Sequence, residues 1–78
     1  MNLELEILKI LDSAHPRMLK RAVLEGEARL AVDELTATAF DGALSKLDGK
    51  RQVRIHDGED VSRVAITDAG RERVAAAR

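Results

Sequence analysis

Few side chains in this sequence could act as acids, bases, nucleophiles or ligands. His15 and His56 are its only histidines, and they stand in unrelated contexts. His56 leads into Asp57, Glu59 and Asp60, which by composition alone suggests a hard-cation loop. A calcium loop needs alternating oxygen donors before a glycine and a glutamate at its twelfth position. This segment has neither, so a solvated turn is expected. Ser13, Ser45 and Ser62 have no general base at a recognisable spacing. There is no cysteine and no glycine-rich phosphate loop. The expectation is therefore no enzyme, no metal site and no cofactor.

What remains is charge. Arg17, Lys20 and Arg21 cluster in the first turns of an expected helix, where a positive side chain opposes the helix dipole. A phosphate passing that helix start would relieve the mismatch. Lys50, Arg51, Arg54 and Arg63 form a second basic group flanking the acidic segment 57–60. Overall charge is nevertheless −1, whereas a free-standing nucleic-acid binder is more often basic. Distribution, rather than sum, has to carry any such role.

The elements that position these groups are legible from periodicity. Phe40, Ala43, Leu44 and Leu47 recur at helical spacing. They predict a helix over about 39–48, capped by Thr38 with Asp41 in a capping-box arrangement, and ended by Gly49 in a left-handed conformation. After Gly49 the period drops to two, with Val53 and Ile55 and then Val64 and Ile66 alternating with polar residues. This predicts a hairpin over 52–66 with a loop at 57–60. That register sets Val53 opposite Val64, Ile55 opposite Ser62, and Arg54 directly opposite Arg63 on the solvent face.

Upstream, Asn2 caps a helix over about 3–14 whose core stripe is Leu3, Ile7, Ile10, Leu11 and Ala14. Leu5 and Leu8 lie off that stripe. Either their own domain covers them on a second side, or they form a homodimer seam. Pro16 separates this helix from another expected over about 17–30, with Leu19, Ala22, Val23, Gly26 and Leu30 facing the core. A short final helix, capped by Thr67, follows over about 68–77.

The fold class is thus α+β and mostly α. It is a winged helix-turn-helix with a three-helix core, a two-stranded hairpin wing and a short C-terminal helix. Residues 1–78 form one domain. Thirty-five residues are apolar but twelve of these are alanine, so the core is small. No apolar run reaches the ~18 residues of a membrane span and no signal peptide is visible, so a cytoplasmic location is expected.

The phrase Ile66-Thr67-Asp68-Ala69-Gly70-Arg71, with Ala43-Leu44-Ser45-Lys46-Leu47 and Val53, resembles winged-helix regulators of the MarR and PadR kind. The match covers about residues 36–72 well and the first two helices by pattern. The resemblance implies a transcriptional regulator in which helix 39–48 enters the major groove of duplex DNA and the loop at 57–60 flanks it. Carried onto this chain, the contacts would be Arg17, Lys20, Arg21, Thr36, Thr38, Ser45 and Lys46, with Lys50, Arg51, Arg54 and Arg63 holding phosphate. The chain departs from the pattern at the wing tip, where Asp57, Glu59 and Asp60 replace the usual basic residues. Helix 39–48 also offers no Arg, Asn or Gln for bidentate base reading. The alternative is a winged helix that binds an unidentified protein through these acidic and basic patches.

Overall fold

The computed structural model describes residues 2–77. In chain order the elements are α1 (Leu3–Ala14), β1 (Leu19–Lys20), α2 (Arg21–Ala31), α3 (Ala37–Gly49), β2 (Val53–Asp57), β3 (Ser62–Ile66) and α4 (Asp68–Ala76). The sheet is antiparallel with order β1-β3-β2.

Helix α1 begins where expected, with the Asn2 side chain accepting from the Leu5 N–H at 3.3 Å. Its buried line is Ile7, Leu8 and Leu11, while Leu3, Leu5 and Ile10 pack half-buried against the core. Leu8 is wholly enclosed by its own domain and is not available to a dimer seam. Leu5 belongs to the same packed flank. Of the two leucines off the expected stripe, Leu8 is covered by the fold itself and Leu5 only in part.

The second helix starts at Arg21, four residues later than its periodicity suggests. Leu19 and Lys20 are instead drawn into β1, where they pair with Val64 and Arg63. The late start also changes which face is buried. Leu24 and Ala28 enter the core, whereas Val23 is 47% and Leu30 84% exposed. Gly26 marks no close helix crossing, since a Cβ built there meets nothing within 4 Å.

Helix α3 supplies the centre of the core. Phe40, Ala43, Leu44 and Leu47 are all buried, joined by Leu35 from the preceding turn, Val53 and Val64 from the sheet and Val74 from α4. No polar side chain among the described residues is buried. Phe40 is fully enclosed, and truncation of such a residue to Ala typically costs about 3–5 kcal/mol. The N-cap is Thr36 rather than Thr38: its Oγ1 accepts from the Ala39 N–H at 3.0 Å. Asp41 therefore takes no part in a capping box. At the other end, Gly49 stays helical, and the left-handed position falls two residues later on Arg51, with φ of 60°.

The hairpin register is displaced by two residues from the expected one. Val53 faces Ile66, Arg54 faces Ala65, Ile55 faces Val64, His56 faces Arg63 and Asp57 faces Ser62. The tip fixes it. Gly58 N–H donates to the Val61 carbonyl at 3.0 Å, and Ser62 Oγ donates to Asp57 Oδ1 at 2.7 Å. A shift of two leaves every side chain on its expected face, because strand side chains alternate. It does separate Arg54 from Arg63, and the arginine pair inferred from sequence does not form.

Between wing and body lies a tight junction. Thr67 caps α4 by accepting from the Gly70 N–H at 3.2 Å, and its hydroxyl donates to the Arg51 carbonyl at 2.6 Å. Thr67 N–H donates to the Gln52 carbonyl at 3.0 Å. Gly70 lies against that same carbonyl, and a Cβ built there would sit only 2.2 Å from its oxygen. The Thr-x-x-Gly spacing thus joins helix cap and strand start in one contact.

Candidate nucleic-acid interface

Burial of Phe40, Ala43, Leu44 and Leu47 turns the opposite side of α3 to solvent. At about 100° per residue the centre of that side carries Thr38, Gly42, Ser45 and Gly49. All four are exposed, and a Cβ at Gly42 or Gly49 would meet nothing within 4 Å. The outward face is therefore smooth, with two hydroxyls as its only side-chain hydrogen-bonding groups. Lys46 lies on one flank, beside Asn2, Leu3 and Glu4 of the α1 start. Asp41 and Asp48 lie on the other.

Asp41 is not a bare negative charge facing outward. It is ion-paired with Arg21, which also lies 3.9 Å from Glu25 and stacks with its guanidinium 5.4 Å from the Phe40 ring centre. Arg21 is consequently a bracket between α2 and α3. Lys50 is likewise engaged, 3.0 Å from Glu4. Glu4 also meets Arg73 at 3.0 Å, and Arg73 donates in turn to Gln52 Oε1 at 2.8 Å. The hydrogen bonds from Lys50 and Arg73 hold the Glu4 carboxyl below its ordinary pKa of 4.5, against the opposing effect of its desolvation. Two of the expected phosphate contacts, Arg21 and Lys50, thus hold the fold together.

The other cations divide cleanly. Lys9, Arg29 and Arg71 pair with Glu6, Glu25 and Asp12. Among the described residues, Arg17, Lys20, Lys46, Arg51, Arg54 and Arg63 are exposed and meet no carboxylate within 4.0 Å. Arg17 stands apart at a shallow hollow between α1 and α2. Thr36 is committed to capping α3. Arg51 and Arg54 line an open cleft of about 590 Å³ with His56, Asp48, Thr67 and Asp68, where the sheet meets the start of α4. Arg51 holds a backbone conformation that favours glycine, at a cost on the order of 1 kcal/mol.

Strand β1, and with it the neighbours of Lys20, is not foreshadowed in the sequence. Lys20 stands opposite Arg63, and Arg63 stands opposite His56, all on the sheet face turned away from the core. A two-residue strand leaves no periodic signal.

Three helices, a three-stranded sheet whose β2–β3 hairpin projects beyond β1, and a final helix packed on α1 constitute a winged helix-turn-helix. A crystal structure of a transcriptional regulator of the MarR family, from Silicibacter pomeroyi, shares this fold with a TM-score of 0.78 at 24% sequence identity. The likeness takes in 95% of this chain and 47% of that one, so the chain spans about half the length of that regulator. No protein-family model and no curated protein sequence matches the chain. No helix among the described residues is long and apolar enough to cross a membrane, and no group of three potential metal ligands is found among them.

Proposed function

We propose that this protein is a winged-helix DNA-binding module of a transcriptional regulator, engaging duplex DNA through α3 and the flanks of the wing. The observation that carries this reading is the division of its cations. Half of those described are neutralised inside the fold, while Lys20, Lys46, Arg51, Arg54 and Arg63 remain unpaired on α3 and the sheet beside it. The smooth α3 face suits close approach to a groove. With only Thr38 and Ser45 to read base edges, discrimination between sequences is small. The acidic tip at Asp57, Glu59 and Asp60 is repelled by phosphate and stays clear of the backbone.

The test is binding of a fluorescent 20-base-pair duplex of arbitrary sequence across a salt series. Affinity should fall linearly on a log–log plot between 50 and 200 mM salt, with a slope of about −0.9 for each phosphate engaged. Absence of binding even at the lowest salt refutes the reading. The acidic tip then favours the other one, a winged helix that docks on protein through its complementary patches.

A further inference from the structure

The large apolar side chains exposed among the described residues are Met18, Val23 and Leu30, and all three belong to α2 or to the stretch leading into it. Val23 and Leu30 lie about two turns apart on a single line of α2. Beside that line is the shallow hollow between α1 and α2, where Val23 is joined by Ile10, Ala14 and Leu19. The hollow carries a charge at each end. Arg17 stands where α1 has run out and α2 has not begun, and Glu27 stands one turn beyond Val23. Neither meets an opposite charge within 4.0 Å among the described residues. Arg17 is also the unpaired cation that the α3-and-wing surface leaves out, and none of the cations assigned to DNA lines the hollow.

We infer that a second copy of this chain docks on this hollow, forming a two-fold dimer in which Arg17 of each copy pairs with Glu27 of the other. The charge pattern selects the occupant. A two-fold interface is self-complementary: where residue i meets j, j meets i. A dyad through the apolar middle of the hollow, at Val23, exchanges its two ends, so that basic meets acidic twice. A strip with one charge of each sign about an apolar centre neutralises itself by this operation and needs no other molecule to do so. Apolar centre and polar rim are also the anatomy of a contact between proteins. Leu30, one turn past Glu27, then extends over the other copy beyond its Arg17, in the direction of its Met18. Each surface comes from one helix and its flank. The contact is therefore at the small end of specific interfaces, below about 1,200 Å² in total, and the dimer is weak and reversible. The inference does not depend on DNA binding, since the seam and the α3-and-wing surface use different residues.

The experiment is sedimentation of the protein alone, without DNA, from about 1 μM to about 1 mM, the range of a weak contact. Wild type should pass from 8.6 kDa towards twice that mass as concentration rises. Val23→Glu, which sets two carboxylates at the dyad, should remain monomeric throughout, with a circular dichroism melt showing that it is folded. Arg17→Glu and Glu27→Arg alter exposed side chains and should each weaken the dimer about tenfold, because both ends turn repulsive. Mixed in equal amounts, these two variants should associate again, since a copy with Arg17→Glu facing a copy with Glu27→Arg has opposite charges at both ends. A wild type that stays monomeric at the highest concentration overturns the inference. So does a folded Val23→Glu that still dimerises, or a mixture that associates no better than its components. None of these results bears on the DNA-binding reading.

Discussion

Replacing Gly70 by alanine sets two physical effects against each other, and the structure decides between them. Gly70 lies in the first turns of α4, where alanine is worth about 1 kcal/mol over glycine in helix propensity. Propensity alone therefore predicts a more stable protein. The added Cβ, however, would stand 2.2 Å from the Gln52 carbonyl oxygen and 2.8 Å from Ile66 Cγ1. Ordinary contact begins near 3.4 Å, so the α4 start and the β2 start must part by about 1 Å. Overpacking of this kind costs about 1–3 kcal/mol. The Thr67 N–H bond to the same carbonyl is strained with it, for about 1 kcal/mol more. After the propensity gain the net loss is about 1–3 kcal/mol. For a domain of this size that lowers Tm by roughly 4–24 °C. Thermal melts followed by circular dichroism, with urea titration as a check, measure it. A Tm equal to or above that of the wild type would show that the junction yields and that the close approach of Gly70 to Gln52 does not constrain the fold.

Gly26→Ala provides the opposite sign: the site lies in α2 with open space around it, so about 1 kcal/mol of stabilisation and a Tm gain of roughly 4–8 °C are expected. A fall in Tm would mean that Gly26 does pack against something. For Glu4, the folded pKa lies below the unfolded one, so its contribution is complete above the ordinary carboxylate value of 4.5 and is lost as pH falls through the folded value. Glu4→Gln should thus melt lower than wild type at pH 7, by about 1 kcal/mol's worth or roughly 4–8 °C, with the gap closing as the pH falls below 4.5. A gap that stays constant from pH 7 to pH 3 would show that the lost stability does not come from the ionised carboxylate.

Much of this was legible along the chain because it is local. The α3 core line, the inward and outward faces of the hairpin, the Asn2 cap and the Thr67 cap all follow from spacings of two to four residues. The misreadings share a different cause. Leu19, Ala22 and Val23 have helical spacing, yet Leu19 and Lys20 are taken into a sheet by a partner strand far along the chain. With the start of α2 displaced, its two aliphatic lines compete. Val23 and Leu30 are as apolar as Leu24, and only the docked position of the helix selects Leu24 and Ala28. The hairpin register turned on a hydrogen bond at its tip, which periodicity does not encode. The same holds for the interface. Arg21 and Lys50 look as available as Arg63 until Asp41 and Glu4 are brought beside them from 20 and 46 positions away. Sequence shows where cations are, and folding decides which of them remain unspent.

The pairing of Leu19 with Val64 also bears on the order in which the molecule assembles. It closes a loop of about 45 residues, whereas the β2–β3 hairpin closes across the short tip between Asp57 and Ser62. Loop-closure entropy rises as about 1.5 RT ln n, so β1 starts roughly 2 kcal/mol behind the hairpin. The hairpin and α3 are therefore able to form early, while β1 docks only after α1 and α2 have folded back beside them. The amides joining β1 to β3 would exchange with solvent before those of β2, and reach full protection last on refolding.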